Sequence, residues 1–489
     1  MERGARVSSP IEAVRGMRDV LPSEQRNTAQ VRAILERVLA QHGYAPIDLP
    51  IVEQRELYLR KLGEELVGKV YEFSFGGRDL ALRPEWTASV LRAYVATMQD
   101  QPLPLRLIYS GPVFRYERPQ RGTYRQFTQV GVELVGGPSP RADAEAVAVA
   151  CAGLDAVGVG GYRVVLGHIG LIRELLASLG LEERTQGVLA WSMERMRAEG
   201  VAALRERISE TMGTPPPGLE LPPGLDEGQA AGWLLGMLDA MRIDLSTGTR
   251  DPQDVVARLL RKLRRGDPQP QIDRALDLLY RLGQLRGSPD VAMPQVAALL
   301  AEAGLESAAY AELRAILALL ADHGIDHGRV EIDLGLGRGL HYYTGLIFEI
   351  YDGDQMQLCG GGRYDDLVSA LGGRQPTPAV GFAYGLERVA ALVAAAAPPD
   401  ERVALVAPIS DDDYAYALEV ARRLRERGFI ATVDVRGRSV ATNLRDAARR
   451  GVGYLAVVGD AERTQGTLVW RTLASRDERR VTLDAIDTL

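Results

Sequence analysis

Hydrophobic residues at helical and strand spacings predict the first elements of the chain. From Thr28 to His42 the apolar positions repeat about every 3.6 residues, which predicts a helix that ends before Gly43. The runs Leu105–Phe114 and Tyr124–Val135 have residue patterns typical of β-strands. The turn between these strands is rich in Arg, Pro and Gly, so the pattern predicts a hairpin with a charged loop.

A helical segment rich in Ala, Leu and Arg interrupts the strand pattern. It follows Gly180 and continues to about His327, and strand spacing returns over Arg329–Tyr351. From Arg402 onward, short strands alternate with helices, which indicates a small domain with a mostly parallel sheet. We therefore predict four segments: a core of residues 1–185 and 328–397, a helical insert at 186–327 and a C-terminal α/β domain at 401–489.

A stripe of polar side chains lies inside the second predicted strand. A period of two places Arg125, Gln129 and Glu133 on one face with Phe127, and it places mostly apolar residues on the other face. One interpretation is the solvent-facing side of an antiparallel sheet. The other is a polar binding surface, which the neighbouring motifs favour.

Two further motifs carry groups that suit anions and amines. The segment Phe114–Gln120 contains Arg115, whose planar guanidinium matches a phosphate or a carboxylate, although a solvated charged turn also explains it. The segment Arg83–Thr87 brings a carboxylate and a hydroxyl to the start of a predicted helix. Thr87 is there also a candidate helix cap, which is the commoner role of a single threonine.

Three glycine-rich segments follow later in the chain: Gly335–Gly345, Gly360–Asp365 and Gly381–Arg388. Glycines within a strand pattern indicate close approach of a ligand, although a bulge or a tight turn also explains them. The spacing differs from that of a phosphate loop that ends in Lys and Ser. Arg388, in the first turn of a predicted helix, is a candidate phosphate partner.

Composition limits the classes of function. The 489 residues carry 58 Lys plus Arg against 65 Asp plus Glu, a net charge of −7, so no overall positive field attracts nucleic acid. Only two cysteines occur, in no metal-binding spacing, and this predicts neither a zinc site nor a disulfide framework. No apolar run is long enough to span a membrane, so we expect a cytoplasmic protein.

Five motifs, taken together, resemble the histidyl-tRNA synthetase family. They are Arg15–Asp19, Phe114–Gln120, Tyr124–Glu133, Gly361–Asp365 and Gly381–Arg388. The resemblance implies an α+β fold of the class II aminoacyl-tRNA synthetase type, with a six- to seven-stranded antiparallel sheet flanked by helices and a dimer formed around Pro50. It also implies that the C-terminal domain resembles an anticodon-binding domain.

The resemblance implies which residues bind substrates. The residues expected to bind histidine are Glu85, Trp86, Thr87, Arg115, Gln129, Glu133, Tyr342 and Tyr343. Among them, Glu133 and Tyr343 would meet the imidazole, and Arg115 would face the carboxylate. Arg115 and Arg388 would bind the nucleotide if that function is retained, and Arg338 would be the catalytic arginine of a ligase. No metal ligand is implied.

Three features depart from a working synthetase. Residue 86 is Trp where synthetases carry glycine, and we expect the indole to crowd the substrate or the nucleotide. Residue 341 is His where synthetases carry Asp. The segment Leu166–Leu171, which contains His168, resembles a non-aminoacylating paralogue of the family, the regulatory subunit of short-form ATP phosphoribosyltransferase.

These departures lead to two hypotheses. The leading one is a regulatory subunit without activity of its own, needed in the first step of histidine biosynthesis for activity and for feedback by histidine. It would form a homodimer within a hetero-oligomer with the ATP phosphoribosyltransferase catalytic subunit, bind histidine and need no cofactor. The alternative is a histidine–tRNA ligase that uses ATP, magnesium and tRNA, which the retained Arg338 favours. The acidic balance disfavours a third reading, a stand-alone RNA-binding protein.

Overall fold

In the computed structural model, the described residues are 11–59, 68–118, 123–193, 225–241, 269–336, 342–393 and 402–488, with a few single positions between 194 and 268. The chain divides into two compact units, Met1–Ala394 and Ala395–Leu489. Arg338 and His341 lie outside the described residues. Among the helices of the described ranges, none is both long and apolar enough to cross a lipid bilayer.

Strands dominate the first unit. In chain order they are β1 (Ala45–Pro46), β2 (Val52–Gln54), β3 (Glu72–Phe75), β4 (Arg78–Leu82), β5 (Leu105–Phe114), β6 (Gln126–Val135), β7 (Arg163–His168), β8 (Arg286–Gly287), β9 (Val330–Asp333), β10 (Leu346–Tyr351), β11 (Gln357–Arg363) and β12 (Ala379–Gly385). Within the described residues, nine of them form one sheet in the order β1-β5-β6-β12-β11-β10-β7-β9-β8. The strands β2, β4 and β3 form a small antiparallel sheet.

Helices surround this sheet. They are α1 (Pro22–Gln41), α2 (Arg55–Leu59), α3 (Thr87–Ala93), α4 (Arg141–Ala156), α5 (Ile169–Ser178), α6 (Glu183–Trp191), α7 (Glu227–Ala240), α8 (Gln269–Gln284), α9 (Pro289–Glu302), α10 (Ala308–Asp322), α11 (Asp366–Ala370) and α12 (Leu386–Leu392). Helices α1 and α4 pack on each other and on the sheet. Their buried residues recur at helical spacing, as Val31 and Leu35 show, so each helix turns one apolar face to the core.

The sheet differs from the six- to seven-stranded antiparallel sheet that the resemblance implied. The six strands from β5 to β7 in the sheet order are antiparallel, but β1 pairs with β5 and β9 pairs with β7 in parallel. Parallel pairing requires a crossover connection. The helices between β7 and β9 provide one, and the segment of β2, β3, β4 and α3 provides the other. The sheet is therefore mixed, with parallel pairs toward its two edges.

The predicted hairpin is confirmed at nearly its predicted bounds. Strands β5 and β6 pair over ten residues, from Leu105 opposite Val135 to Phe114 opposite Gln126. Strand β12 covers the other edge of β6 and places Gly381 opposite Glu133. Glu133 therefore lies on a strand in the middle of the sheet and is buried, whereas Gln129 and Arg125 at the other end of the polar stripe are partly exposed.

The second unit contains the predicted alternation of strands and helices. Its elements are β13 (Val403–Pro408), α13 (Tyr414–Glu426), β14 (Ile430–Val433), α14 (Val440–Arg449), β15 (Tyr454–Val458), α15 (Asp460–Gln465), β16 (Thr467–Thr472) and β17 (Glu478–Thr482). The strands β14, β13 and β15 are parallel, as predicted. Strands β16 and β17 extend the sheet by antiparallel pairing, which the sequence analysis did not predict. The four predicted segment boundaries stay a prediction.

A buried ion pair fastens helix α4 to strand β11. Arg363 at the end of β11 donates from Nε to Asp143 Oδ1 at 2.9 Å, and both side chains are almost fully buried. Its Nη1 donates to Asp365 at 2.9 Å, and its Nη2 donates to the carbonyl of Gly137 at 3.1 Å. The guanidinium therefore connects the helix, the loop before it and the turn after β11, which precedes α11.

We expect Asp143→Ala to destabilise this unit by about 3–5 kcal/mol, because it removes the buried counter-charge of the Arg363 guanidinium and leaves the exposed Asp365 as its acidic partner. Hydrogen exchange of peptides from α4 and β11 measures the change. The control is Asp100→Asn, which breaks the exposed pair with Arg374 in the same unit and should change nothing. Equal protection in both variants would show that the buried pair does not hold the helix to the sheet.

Candidate functional site

Glu133, on strand β6, is a carboxylate without exposed surface. Its Oε1 accepts hydrogen bonds from the Thr87 hydroxyl at 2.7 Å and from the Tyr109 hydroxyl at 3.1 Å. Its Oε2 has no hydrogen-bond partner among the described residues. Burial raises the pKa of Glu133 well above its ordinary value, although the two hydroxyls oppose the shift. One oxygen is thus held by the protein, and the other is a buried acceptor without a partner in the described residues.

A second buried carboxylate, Glu85, lies at the start of α3. Its Oε1 accepts from the backbone N–H of Ala88 at 2.9 Å, and its Oε2 has no partner in the described part of the chain. Burial raises the pKa of Glu85. The cap position of α3 is occupied by Trp86, and Thr87 is the first helical residue. The capping role considered for Thr87 is therefore wrong, since its hydroxyl binds Glu133.

Three tyrosines pack together beside these carboxylates. The rings of Tyr342 and Tyr343 lie 4.8 Å apart, and the ring of Tyr364 meets that of Tyr342 edge-on at 5.6 Å. The hydroxyl of Tyr364 is buried and has no hydrogen-bond partner among the described residues. Aromatic walls with unpaired polar atoms suit a flat ligand that carries hydrogen-bonding groups.

These groups surround a small cavity of ≈ 30 Å³. It is lined by Glu85, Thr87, Tyr109, Arg115, Gln129, Tyr342, Tyr343, Gly360, Gly361, Tyr364, Gly381, Phe382 and Ala383. The Oε1 atom of Gln129 is another buried acceptor without a partner in the described ranges. The unpaired acceptors of Glu85 and Gln129 therefore belong to residues that line this cavity, and that of Glu133 adjoins Gly381, which also lines it. Such a set favours a ligand that donates several hydrogen bonds.

Glycines on the neighbouring strands make room for the buried carboxylate. A Cβ on Gly381 would lie 1.9 Å from Glu133 Oε2 and 2.6 Å from the Tyr364 hydroxyl. A Cβ on Gly361 would lie 2.2 Å from the carbonyl oxygen of Gly381. Gly361 and Gly381 are thus explained by close packing inside the sheet, and no bulge or tight turn is needed at these two positions.

A larger cavity of ≈ 110 Å³ adjoins the small one. It is lined by Arg115, Glu117, Thr123, Tyr124, Phe127, Gln129, Gln357, Leu358, Cys359, Gly360, Ala383, Gly385, Glu387 and Arg388. Arg115 donates from Nε to the carbonyl of Pro84 at 2.8 Å, and Arg388 donates from Nη1 to the carbonyl of Gln357 at 3.0 Å. Burial lowers the pKa of Arg388, but a guanidinium remains charged at neutral pH. Two oriented cations therefore make this cavity suitable for an anion.

The two cavities share four lining residues: Arg115, Gln129, Gly360 and Ala383. A ligand in the small cavity and one in the large cavity would therefore meet at Arg115. A guanidinium at that junction can bind two anions together, such as a carboxylate and a phosphate. The arrangement suits a reaction between an acid in the small cavity and a phosphate ester in the large one.

Six of the eight predicted histidine-binding residues line the small cavity, whereas Glu133 and Trp86 line neither cavity. The indole is buried in a separate apolar cluster with Val90, Leu107, Tyr109 and Val113, and it lines neither cavity. The expectation that it crowds a substrate gains no support from this position and stays a prediction. His168 also lines neither cavity, because it is buried with Nε2 at 3.3 Å from Glu312.

Sequence reasoning missed Tyr109 and Tyr364, which both line the small cavity. Tyr109 lies in a predicted strand, but its hydrogen bond to Glu133 depends on how β5 pairs with β6. The register places Tyr109 opposite Gly131, and a Cβ on Gly131 would lie 2.6 Å from the Tyr109 hydroxyl. The hydroxyl can therefore reach Glu133 because residue 131 has no side chain. A glycine within the polar stripe was the available signal.

Comparisons with known proteins identify the family of the chain. The family model described as histidyl-tRNA synthetase matches residues 16–214 and 254–389, and the model described as anticodon binding domain matches residues 403–488. A protein named Histidine--tRNA ligase from Archaeoglobus fulgidus is 33% identical over 473 residues, which are 96% of each chain. Other relatives with the same name are about 30% identical over a similar share.

Solved structures share the fold. A histidyl-tRNA synthetase from a Nostoc species has a TM-score of 0.65 at 21% identity and covers 98% of this chain and 99% of its own. A Bacillus halodurans structure, titled an ATP phosphoribosyltransferase regulatory subunit/histidyl-tRNA synthetase, has a TM-score of 0.64 at 22% identity, covering 92% of this chain and 99% of its own. At these identities the two structures bear on the fold alone.

These relatives overturn the leading hypothesis from the sequence. The regulatory subunit, its place in histidine biosynthesis and its phosphoribosyltransferase partner are wrong, because curated relatives that span nearly the whole chain are named as histidine–tRNA ligases. The regulatory-subunit hypothesis rested on Trp86, His341 and His168. Trp86 and His168 are described, and both lie outside the cavities. On the extent of the family match, the chain belongs to the histidyl-tRNA synthetase family.

Proposed function

We propose that the protein is a histidine–tRNA ligase, which forms histidyl-adenylate from ATP and histidine and transfers the histidyl group to tRNA. The observation that carries the proposal is the junction of the two cavities at Arg115, with unpaired buried acceptors on one side and Arg388 on the other. The names of the relatives support the same activity. A cytoplasmic location, where tRNA is charged, belongs to this proposal.

Histidine fits the small cavity by the chemistry of its three polar groups. The α-ammonium group would lie near Thr87 and donate hydrogen bonds to Glu85 Oε2 and Gln129 Oε1, which are buried acceptors without a partner among the described residues. The imidazole would lie among the tyrosines, including Tyr342 and Tyr343, and donate an N–H to Glu133 Oε2, which is next to Gly381 in the cavity wall. The carboxylate would then point to Arg115.

ATP fits the larger cavity, where Arg115 and Arg388 would bind its phosphates or stack on its base. Magnesium would enter with the phosphates, which provide most of its oxygen ligands. The described residues contain no cluster of three or more His, Cys, Asp or Glu side chains suited to a metal. The carboxylates that line this cavity, Glu117 and Glu387, are hard oxygen ligands of the kind magnesium takes.

The proposed reaction has two steps. A carboxylate oxygen of histidine attacks the α-phosphorus of ATP, a new oxygen–phosphorus bond forms, and the bond to the β-phosphate breaks so that pyrophosphate leaves. Arg115 would bring the two anions together and stabilise the charge on the pentacoordinate phosphorus. A terminal ribose hydroxyl of tRNA then attacks the carbonyl carbon and displaces AMP. Arg338, expected as a catalytic arginine, lies outside the described residues.

The C-terminal unit would bind the tRNA anticodon, in agreement with the family model that matches it. Residues 401–489 contain 15 arginines and 14 acidic residues, so the unit carries almost no net charge. Several of its arginines are paired within the unit, as Arg438 is with Asp434 and Asp446. Binding would therefore rely on a local surface and show a modest dependence on salt.

The proposed activity predicts histidine-dependent exchange of pyrophosphate into ATP by the full chain. Charging of tRNA should follow when a histidine-accepting tRNA is added. Arg115→Lys is expected to lower the exchange rate by about 100-fold, because a lysine cannot bind two anions in the same fixed plane. The matched control is Arg125→Lys, which changes a neighbouring arginine outside both cavities. Exchange that does not require histidine, or none at all, would contradict the proposal.

Glu133→Gln should have two opposite effects that a purely structural residue would not show. Histidine binding, measured by calorimetry, should fall by at least about 100-fold, because Thr87 and Tyr109 would hold the amide oxygen and leave the amide NH2, a donor, facing the imidazole N–H. The ligand-free variant should melt at a higher temperature than the wild type at pH 8, because a buried carboxylate with a raised pKa opposes folding when it must ionise.

The sign of the stability effect can be checked by pH. The raised pKa of Glu133 means that the destabilisation is absent when the carboxyl is protonated in both the folded and the unfolded chain. The advantage of Glu133→Gln should therefore shrink as the pH falls toward 4. A variant that binds histidine normally, or that is less stable than the wild type at pH 8, would disprove this assignment of Glu133.

A further inference from the structure

We propose that Trp86 is a positioning residue for the histidine pocket, which acts on Glu133 through Tyr109. The inference rests on the proposed function, and it concerns a residue at which this chain differs from the glycine expected in the family. The sequence suggested that the indole blocks the site. The geometry assigns it the opposite role, that of supporting the pocket from behind.

The indole is fixed on several sides. Its ring stacks on that of Tyr109 with centroids 4.9 Å apart and planes only 12° from parallel. The guanidinium of Arg83 lies over the same ring, 3.4 Å from its centroid. Arg83 is itself held, because it donates to the carbonyl of Pro112 and to that of Leu49, each at 2.9 Å. The stack therefore has little freedom to move.

The space that the indole fills is provided by Gly111. The Nε1 atom of Trp86 donates a long hydrogen bond to the carbonyl of Gly111 at 3.4 Å. A Cβ on Gly111 would lie 2.8 Å from the indole Cζ2 and 2.9 Å from Arg83 Nη2. Residues 86 and 111 are thus complementary in volume, since a large ring at one position requires no side chain at the other.

Tyr109 transmits the position of the indole to the pocket. Its ring lines the small cavity, and its hydroxyl donates to Glu133 Oε1 at 3.1 Å. The second donor to that oxygen is Thr87, which directly follows Trp86 and begins helix α3. Both residues that donate to Oε1 are therefore linked to Trp86, since Tyr109 stacks on its ring and Thr87 is the next residue in the chain. With Oε1 held in this way, Oε2 keeps the orientation in which it can accept from a ligand.

The test compares Trp86→Leu with a matched control in the full-length protein. Trp470→Leu removes another buried indole that stacks on a tyrosine, Tyr454, with centroids also 4.9 Å apart, but in the second unit. We expect Trp86→Leu to raise the KM for histidine in pyrophosphate exchange by about tenfold, with the KM for ATP within about twofold of the wild type. Trp470→Leu should leave both constants unchanged.

Trp86→Phe should restore most of the affinity for histidine, because a phenyl ring retains the stack on Tyr109. Circular dichroism and thermal melting establish that each variant is folded. If folded Trp86→Leu keeps the wild-type KM for histidine, or lowers it, the indole does not support the pocket. If Trp86→Phe is no better than Trp86→Leu, stacking is not the cause.

A double-mutant cycle with Tyr109→Phe tests the path of the effect. Tyr109→Phe keeps the ring and removes the hydroxyl, so it should weaken histidine binding to a similar degree. Because both changes act on the same hydrogen bond to Glu133, the double variant should be little worse than either single variant. If the two reductions in histidine affinity multiply in the double variant, Trp86 and Tyr109 act independently and the proposal is overturned.

Direct calorimetric binding of L-histidine separates this inference from the proposed function. A wild-type protein that binds histidine but shows no exchange would contradict the ligase activity, and the comparison of Trp86→Leu with Trp470→Leu would still decide the role of Trp86. A wild-type protein that exchanges pyrophosphate with equal histidine affinity in both variants would keep the function and remove the positioning role.

Discussion

The buried carboxylate of Glu133 is the constraint on which the rest of the site depends. An ionisable group without exposed surface is costly to keep in the centre of a sheet, and it persists only where its surroundings compensate for lost hydration. Here Thr87 and Tyr109 satisfy one oxygen, and the other has no partner in the described structure. The protein therefore keeps a buried, partly unpaired carboxylate at the expense of stability, which is common at functional sites.

The sheet is built around this group. Gly381 and Gly131 carry no side chain where the carboxylate and the Tyr109 hydroxyl need space. On strand β11, Arg363 follows the glycines and forms an ion pair with Asp143 on helix α4. Close strand packing, a rigid anchor at the end of the strand and a preorganised acceptor thus belong to one arrangement. Catalysis benefits when such groups are fixed before the substrate arrives.

Features of the site that depend on neighbouring residues in the sequence could be predicted, and features that depend on pairing between distant segments could not. The period of two along β6 correctly put Gln129 and Glu133 on one face, because alternation is a local property of a strand. The parallel pairs of β1 and β9 could not be predicted, because they depend on long crossovers between distant segments. Likewise, the role of Tyr109 requires the register of β5 on β6, and no periodicity reveals a register.

Trp86 shows how a correct observation can be incomplete. The tryptophan does replace an expected glycine, but its effect depends on Gly111, which lies 25 residues later and takes no space. A substitution judged alone looks like an obstruction, whereas the pair of residues keeps the volume of the core nearly constant. The same limit led the sequence analysis to a regulatory subunit, which the named relatives overturned.

The central claim is that Glu133 Oε2 accepts a hydrogen bond from the imidazole of bound histidine. Calorimetry with L-histidine and with thienylalanine, which has a five-membered ring of similar size but no N–H, tests it most directly. We expect thienylalanine to bind at least about 100-fold more weakly, because the buried acceptor would remain unpaired. Equal affinity for the two amino acids would show that Glu133 does not recognise the imidazole.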